Sequence, residues 1–471
     1  MLNVILYDTG DTRRENNEPL GIEVIAAKIE AECSRKASVK LLWHNRDDLP
    51  CFLTEDIDII GISLNIKRMD IFDQIYHRLK SRKKVPFIFV GNVVATYGYE
   101  YLLQKYPDII CMIGEGEEVF VQIVNDIYEE TFRQERINNI AYIEGNKICT
   151  TERKIADLDR YVNPHRAFND FLIQNEGIAR IEGSRGCSYS QCNFCSVKYK
   201  YDSAKWRPIG IPKIIQQIEE IVSSGMKSIY FTDEDFVGND PERLQRLIEE
   251  VEKRRKTDKA FGQANFFVSV KPIDILNEKI FVLLQKFAQV GLREIFIGIE
   301  SGCQTQIRRY GKCTSQETNI KALKKAKEIG ADIDIGFIMF DPEMTVDELK
   351  ENIEFAEKCK IYEFGSGFIK KLRIQSFTEY ENRFAKENNL KFDLDHLEYF
   401  YDFNDSRIAK IYTLYKKRYD ETEAYQMQNV YRGEVKTEEA REEQKKQIVE
   451  LRKKQFFGLK NILREVLGEI I

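Results

Sequence analysis

The run Gly183-Ser-Arg-Gly-Cys-Ser-Tyr-Ser-Gln-Cys-Asn-Phe-Cys195 places three thiols, Cys187, Cys192 and Cys195, within nine residues, directly after the strand-like stretch Gly177-Ile-Ala-Arg-Ile-Glu182. Structural zinc and ordinary electron-transfer clusters take four protein ligands, so a three-thiolate set leaves one metal position for a group that is not protein. Gly183 and Gly186 permit a tight turn that brings backbone amides close to a negatively charged cluster. Two plainer readings compete: buried small hydrophobes, and a zinc knuckle completed from elsewhere. The other cysteines argue against both. Cys33, Cys51, Cys111, Cys149, Cys303, Cys313 and Cys359 are scattered singly, with no second pair at ligand spacing. None of the four histidines lies in a ligand pair; His165, nearest in sequence, follows Pro164.

Downstream of this loop, β-branched and aromatic runs recur: Ile229-Tyr-Phe-Thr232, Phe266-Phe-Val-Ser-Val270, Glu294-Ile-Phe-Ile-Gly298, Ile333-Asp-Ile-Gly-Phe-Ile-Met339 and Phe368-Ile-Lys-Lys-Leu372. Amphipathic helical stretches such as Ile211 to Ser224 and Pro241 to Lys253 separate them. About six βα units make a barrel-like sheet, in which active residues emerge from the carboxyl ends of strands. The cysteine loop follows the first strand of the series. Upstream, Val4-Ile-Leu-Tyr7, Val39-Lys-Leu-Leu-Trp43, Ile57-Asp-Ile-Ile-Gly-Ile-Ser63, Pro86-Phe-Ile-Phe-Val90 and Ile109-Ile-Cys-Met-Ile113 alternate with helical periodicity. That alternation predicts a doubly wound, mainly parallel sheet. Between the two series, Ile140 to Ile148 reads as a hairpin and Asn163-Pro164 as a turn. Beyond about residue 376 the pattern is helical and heavily charged through Thr437 to Ile471, which reads as solvated helix surface. The more apolar Leu397-Glu-Tyr-Phe-Tyr-Asp-Phe403 either packs on the barrel or covers its open mouth.

At 471 residues two or three domains are expected. A net charge of −5 gives no reason to expect a polyanion or membrane partner. Met1-Leu-Asn-Val-Ile-Leu-Tyr7 lacks the features of a signal peptide, and no apolar run approaches membrane-spanning length. With ten cysteines and no secretory signal, a reducing cytoplasm is the expected compartment.

With the loop and both strand series in view, residues 1–375 resemble the cobalamin-binding radical S-adenosylmethionine (radical SAM) family. The family loop usually has three residues between its first two cysteines; here Ser188-Tyr-Ser-Gln191 makes four, a spacing that also occurs among cobalamin-type members. Phe194 matches the aromatic residue that precedes the last cysteine. The resemblance implies an α/β chain with a doubly wound, Rossmann-like cobalamin-binding domain (1–128), a linker (129–177), a partial (βα)6 TIM-like radical SAM barrel (178–375) and a helical C-terminal region (376–471). Thr232-Asp-Glu-Asp-Phe236 is similar to the acidic turn near the nucleotide's amino group, which implies S-adenosylmethionine contacts from Asp233, Glu234 and Asp235. Ser269 and Lys271 end the third strand, Ile297-Gly-Ile-Glu-Ser301 contributes Glu300 and Ser301, and the glycine-containing fifth strand contributes Gly336. In the first domain Ser63, Leu64, Asn65, Gly91, Asn92, Thr96, Gly114, Glu115, Gly116 and Glu117 look like the cobalamin-contacting loops, and Pro19-Leu-Gly21 like the entry to the first helix. No Asp-x-His-x-x-Gly segment is present, so no histidine ligand to cobalt is expected.

The implied cofactors are a 4Fe-4S cluster on Cys187, Cys192 and Cys195, S-adenosylmethionine chelating its open iron, and cobalamin. The implied chemistry is reductive cleavage of S-adenosylmethionine to a 5'-deoxyadenosyl radical, followed by C-methylation of an unactivated carbon in a natural-product or peptide substrate. A radical rearrangement, ring contraction or crosslinking without methyl transfer is the alternative, and a non-enzymatic iron-sulfur or zinc module is a third reading. The resemblance also implies an external electron donor such as flavodoxin or ferredoxin, with neither nucleic acid nor membrane as partner.

Overall fold

Five apolar runs form the parallel part of the first sheet: β1 (Leu2–Asp8), β2 (Ala37–Trp43), β3 (Ile59–Ser63), β4 (Phe87–Gly91) and β5 (Ile110–Met112). The structure is a computed structural model and describes residues 1–10, 17–47, 56–202, 205–364, 369–419, 423, 427, 432 and 437–468. Cys51 and Phe368 lie outside them. The central strands are buried on both faces, which is why they read as continuous apolar runs rather than alternating ones. Helices α1 (Leu20–Cys33), α2 (Met69–Lys80), α3 (Asn92–Lys105) and α4 (Glu117–Tyr128) complete this unit. The order β2-β1-β3-β4-β5 puts the topological switch between β1 and β3, so a crevice opens at the carboxyl ends of these two strands.

The predicted hairpin is β6 (Ile140–Glu144) and β7 (Lys147–Thr150), and it joins the same sheet antiparallel to β5. The first sheet therefore extends to residue 150. Without the hairpin, β5 would present a bare edge of unpaired backbone groups.

The second sheet runs β8 (Ala179–Ile181), β11 (Ser228–Phe231), β12 (Asn265–Val270), β13 (Leu292–Glu300) and β14 (Asp332–Phe337), each parallel to the next. A short ribbon, β9 (Ser184–Arg185) and β10 (Arg207–Pro208), stands between the first two. Among the described residues of the expected sixth strand there is one parallel bridge, Phe340 with Lys371, closed by Phe340 N donating to Lys370 O at 3.0 Å and Leu372 N donating to Phe340 O at 2.7 Å. Helices α5 (Ile211–Ser223), α6 (Pro241–Thr257), α7 (Glu278–Gln289), α8 (Gln316–Ala326) and α9 (Val346–Cys359) cover the outside. In α5 the buried residues Ile214, Ile218, Ile221 and Val222 recur at helical spacing and form its core-facing stripe. Asp240 caps α6 by accepting from Arg243 N, with Pro241 at the first position. A reciprocal Thr345–Glu348 capping box starts α9.

The C-terminal region contributes α10 (Ser406–Arg418) and α11 (Glu438–Leu467). The latter is charged outside, but Ile448, Phe456, Leu459, Ile462 and Leu463 are buried on its inner face. Arg432 reaches the inside of the barrel floor, 2.6 Å from Glu294 and 2.5 Å from Asp334. The aromatic segment Leu397 to Phe403 does not cap the barrel mouth. Leu397 and Tyr399 share one apolar cluster with Val94, Tyr99 and Leu102 of α3, and Tyr401 donates to Leu372 O at 2.9 Å. The segment thus links the first domain to the barrel's last strand position.

The two sheets are joined directly. Asn17, just before α1, bridges in parallel to Ile178, the residue before β8. One continuous apolar cluster runs from Val4 and Phe120 to Phe231 and Phe266. Among the described residues no helix is long and apolar enough to cross a membrane.

Candidate active site

The cysteine loop leaves β9 and returns at β10, so an antiparallel pair, Arg185 with Arg207 and Ser184 with Pro208, clamps its base. Gly186 sits at φ +87° with its Cα against Lys205; a Cβ there would lie 2.4 Å from Lys205 O. Gly186→Ala is expected to destabilise the loop by at least about 2 kcal/mol, from backbone strain and overpacking together. A lowered thermal midpoint with poorer iron retention is the readout. Inside the loop, Asn193 N donates to Tyr310 O at 2.8 Å, and the Tyr189 hydroxyl donates to Gly311 O at 2.7 Å. The ring of Phe194 meets Tyr310 edge-on at 5.4 Å.

The acidic turn after β11 divides its labour. Asp235 accepts from Ser188 N at 3.0 Å, Ser188 Oγ at 2.6 Å and Lys271 Nζ at 2.6 Å, so it ties the cysteine loop to the ends of β11 and β12. Burial opposes its ionisation, but the Lys271 ammonium and these donors hold it below the usual range. Glu234 accepts from Lys200 Nζ and from the Tyr201 hydroxyl, each at 2.9 Å. Asp233 turns inward: its carboxylate accepts from Gly183 N at 2.8 Å and from the Ser184 hydroxyl, and only 3% of the residue is exposed. It shapes the turn before the loop rather than facing a ligand.

Burial also raises Asp274, which lies 3.3 Å from Lys271, to about 6. A carboxyl held protonated in this way contributes stability that is complete below pH 3.8 and is lost as the pH rises through about 6. Asp274→Asn is expected to flatten that part of the fall in unfolding midpoint, as measured by denaturant titrations at pH values spanning this window.

At the end of β13 the register shifts between Gly298 and Glu300, and Glu300 adopts φ +64°. A Cβ on Gly298 would lie 2.9 Å from Glu300 Oε1, and one on Gly336 3.2 Å from both carboxylate oxygens. The two glycines thus make room for this carboxylate. Lys312 stands 3.8 Å away; burial works against its charge, but Glu300 and the thiols of Cys192, Cys313 and Cys195 keep it above its ordinary pKa. Ser301 departs from expectation. It is fully buried, and its hydroxyl is engaged with Gln306 and Asn352, because the left-handed residue before it sends the chain away from the barrel mouth. Ser269 remains at the strand end, half-buried, with its carbonyl accepting from Phe236 N.

The donor set fits an iron-sulfur cluster. Cys187, Cys192 and Cys195 are unbridged and half-buried; charge on Cys187 disfavours ionisation of Cys192 and Cys195, and charge on Cys195 that of Cys192. Burial raises Cys192 to about 12 and Cys195 to about 11, so a bound cation is what would hold them as thiolates. Among the described residues no three His, Cys, Asp or Glu groups sit at metal-ligand spacing, so the fit rests on donor chemistry and loop closure.

Facing this loop, the carboxyl ends of the first sheet form a hydrogen-bonded rim. Asp8 accepts from Ser63 Oγ at 2.6 Å and Asn65 Nδ2 at 3.0 Å, Asn92 Nδ2 donates to Ser63 Oγ at 3.0 Å and Asn65 Oδ1 at 2.9 Å, and Gly114 N donates to Thr96 Oγ1 at 3.1 Å. Leu64 is buried beneath, with its N–H on Gly91 O. The rim opens on a cavity of 330 Å³ that descends between the sheet, α1 and α4 to Leu6, Ile25 and Phe120, and also reaches Glu182, Lys200, Tyr201 and Thr232 of the barrel. A Cβ on Gly21 would meet nothing within 4 Å, and one on Gly91 only Met112 at 3.8 Å. Bare backbone thus faces open space, as a large flat ligand such as cobalamin requires.

Glu115 and Glu117 line the cavity and also take part in an ion cluster with the barrel. Arg185, 4% exposed, donates to Glu115 at 2.7 Å, to Glu182 at 2.7 Å and to Glu117, and Arg207 reaches Glu115 at 2.7 Å. These carboxylates weld the first domain to the residue two before Cys187. Glu117 Oε2 is left buried without a partner on the cavity side. Sequence reasoning missed Arg185, Lys200, Tyr201, Lys312 and Asp8. Of these Asp8 was readable, since it ends the strand at the switch point; nothing local marks the others.

Two family models match the chain: the Radical SAM superfamily over residues 181–356 and the B12 binding domain over residues 9–124. The 4'-phospho-dehydrooxetanocin synthase of Priestia megaterium is 30% identical over 320 residues, covering 64% of this chain; the match spans 43% of that relative's length. The solved structure of the cobalamin-dependent S-adenosylmethionine radical enzyme OxsB with aqua-cobalamin bound superposes with a TM-score of 0.83 at 22% identity, over 98% of this chain and 72% of that one. The radical S-adenosylmethionine methyltransferase TsrM from Kitasatospora setae gives a TM-score of 0.67 at 14% identity, over 82% of this chain and 76% of that one. With both family models matched in order, and with the clamped three-cysteine loop facing the rim of a doubly wound sheet, the chain belongs to the cobalamin-binding radical SAM family and uses a 4Fe-4S cluster, S-adenosylmethionine and cobalamin.

Proposed function

We propose that this chain is a radical C-methyltransferase that acts on an unactivated carbon of a small-molecule or peptide substrate. The observation that carries the reading is the shared cavity: one space touches both the rim at Asp8, Ser63 and Asn92 and the barrel residues beside the cysteine loop, Lys200, Tyr201 and Thr232. When bound, the cluster supplies the electron that cleaves S-adenosylmethionine for hydrogen abstraction, and cobalamin supplies the methyl group. Cys187, Cys192 and Cys195 would hold the cluster, and Asp235 with Lys271 keeps the loop registered on the strand ends. Glu234, Ser269, Glu300 and Gly336 would meet the nucleotide. Ser63, Asn65, Gly91, Asn92 and Gly114 would support cobalamin. The TsrM likeness supports methyl transfer.

A second reading, radical rearrangement or ring contraction without methyl transfer, is favoured by the synthase at 30% identity and by the higher TM-score of OxsB. Product mass separates the two. Anaerobically reconstituted enzyme incubated with its substrate and S-adenosylmethionine is expected to yield a product heavier by one methyl in place of one hydrogen. An unchanged carbon count with complete nucleotide cleavage would overturn methyl transfer.

A further inference from the structure

The cysteine loop is bonded to the end of the short helix Gln304–Arg309 and to the turn after it. Asn193 Nδ2 donates to Arg309 O at 3.0 Å and Asn193 N to Tyr310 O at 2.8 Å, while the Tyr189 hydroxyl donates to Gly311 O at 2.7 Å. These bonds grip the loop on both sides of Cys192. Gly311, at φ +64°, is pressed against it: a Cβ there would lie 2.9 Å from Asn193 Oδ1 and 3.0 Å from Gln191 O. Lys312 is the next residue, so these backbone contacts fix where its side chain starts.

That side chain turns inward. It is 10% exposed, and its ammonium lies over the end of β13, 3.8 Å from Glu300 Oε1 and 3.4 Å from the point that a Cβ on Gly298 would occupy. A separation of 3.8 Å makes an ion pair but not a hydrogen bond. Among the described residues Glu300 is the one carboxylate paired with Lys312. Lys271, the other lysine beside the loop, is placed differently, because Asp235 matches its charge in direct contact at 2.6 Å. The charge of Lys312 is felt at Cys192 and at Cys195.

We propose that Lys312 sets the reduction potential of the cluster held by Cys187, Cys192 and Cys195, because a buried ammonium beside the thiolates offsets the negative charge that an incoming electron adds. Net charge and solvent exposure around a cluster tune its potential, and a fixed charge acts strongly where water is excluded. One electron passes to the cluster from an external low-potential donor, and Lys312 keeps its proton throughout. The inference rests on the cluster and not on the methyl transfer proposed above.

The test is a mediated potentiometric titration of the anaerobically reconstituted full chain, with dithionite as reductant and electron paramagnetic resonance as readout, in the absence of S-adenosylmethionine. In Lys312→Met the reduced-to-oxidised ratio at a fixed potential is expected to fall by about tenfold, a midpoint lower by about 59 mV. Lys312→Arg, which keeps the charge, should stay within about threefold of the wild-type ratio. Adding Glu300→Gln to Lys312→Met removes the carboxylate left without its cation and should recover part of the loss, a reversal that misfolding cannot produce. Lys312→Gln is measured in parallel, since a neutral polar side chain can hydrogen-bond Glu300 where Met cannot. A wild-type midpoint in a neutral variant that holds its iron, loss of iron from both neutral variants, or an equal shift in Lys312→Arg would overturn the proposal. So would a shift that arises only once S-adenosylmethionine is added, which would make Lys312 a nucleotide contact. The midpoint is read without turnover, so failure of methyl transfer would leave this result standing.

Discussion

Arg185→Ala is expected to lower stability by about 3–5 kcal/mol, the cost of stranding buried carboxylates when their cation is removed. The guanidinium is surrounded by Glu115, Glu117 and Glu182, with only 4% of the residue exposed. Burial acts against its charge, and the three carboxylates more than restore it. Arg207 hydrogen-bonds Glu115 and acts on Glu117 through its charge, so it can compensate in part. Because the cluster joins the β5–α4 turn of the first sheet to the base of the cysteine loop, its loss should loosen both at once. Thermal unfolding of the cluster-free chain should show a markedly lower midpoint, with a first transition that belongs to the first domain. Arg185→Lys should fall between, since an ammonium supplies charge without the planar fork that serves several acceptors. An unchanged midpoint in Arg185→Ala would mean that the ion cluster contributes nothing net.

Alanine at any one of Cys187, Cys192 or Cys195 is expected to reduce S-adenosylmethionine cleavage to background, because the cofactor carries the chemistry and no other described cysteine stands ready to replace a ligand. Cys313 is the nearest alternative thiol, being close enough to influence Lys312 and Tyr189, but it enters from the turn after β13 rather than from the clamped loop. Iron analysis after anaerobic reconstitution should fall from about four per chain to well below that in each variant, while Cys359→Ala, on α9, should retain wild-type iron. Full iron and full cleavage in a Cys192→Ala chain would require another ligand set.

Much of this arrangement was legible in the sequence for physical reasons. Strands buried on both faces must be apolar throughout, so Ile59 to Ser63 and Phe87 to Val90 declared themselves. Glycine after a strand has two different reasons here: Gly91 leaves bare backbone facing the cavity, whereas at Gly114, φ +82°, a Cβ would lie 2.6 Å from Arg153 and 2.7 Å from Lys200 O. Other features depend on contacts between residues far apart in the chain. The pairing of Arg185 with Glu115 and Glu117 joins two turns about seventy residues apart, and an acidic Gly-Glu-Gly-Glu turn reads equally well as a ligand loop. Ser301 follows a strand end, but the positive φ of Glu300 carries it into the protein. The aromatic stretch at Leu397 is apolar enough to pack anywhere; only the close approach at Gly98, where a Cβ would meet Leu394 at 2.5 Å and Leu397 at 3.3 Å, selects α3 as its partner. The sixth barrel position has ordinary strand composition, yet among its described residues it pairs at Lys371.

In the proposed enzyme the cluster loop and the cobalamin rim serve one chamber. An anaerobic crystal structure of the reconstituted chain with cobalamin and S-adenosylmethionine tests it most directly. The account predicts cobalamin lying on the rim formed by Ser63, Asn92 and Gly114, with one face toward S-adenosylmethionine held at Cys187, Cys192 and Cys195. Cobalamin bound away from that rim, or screened by protein from the nucleotide, would contradict it.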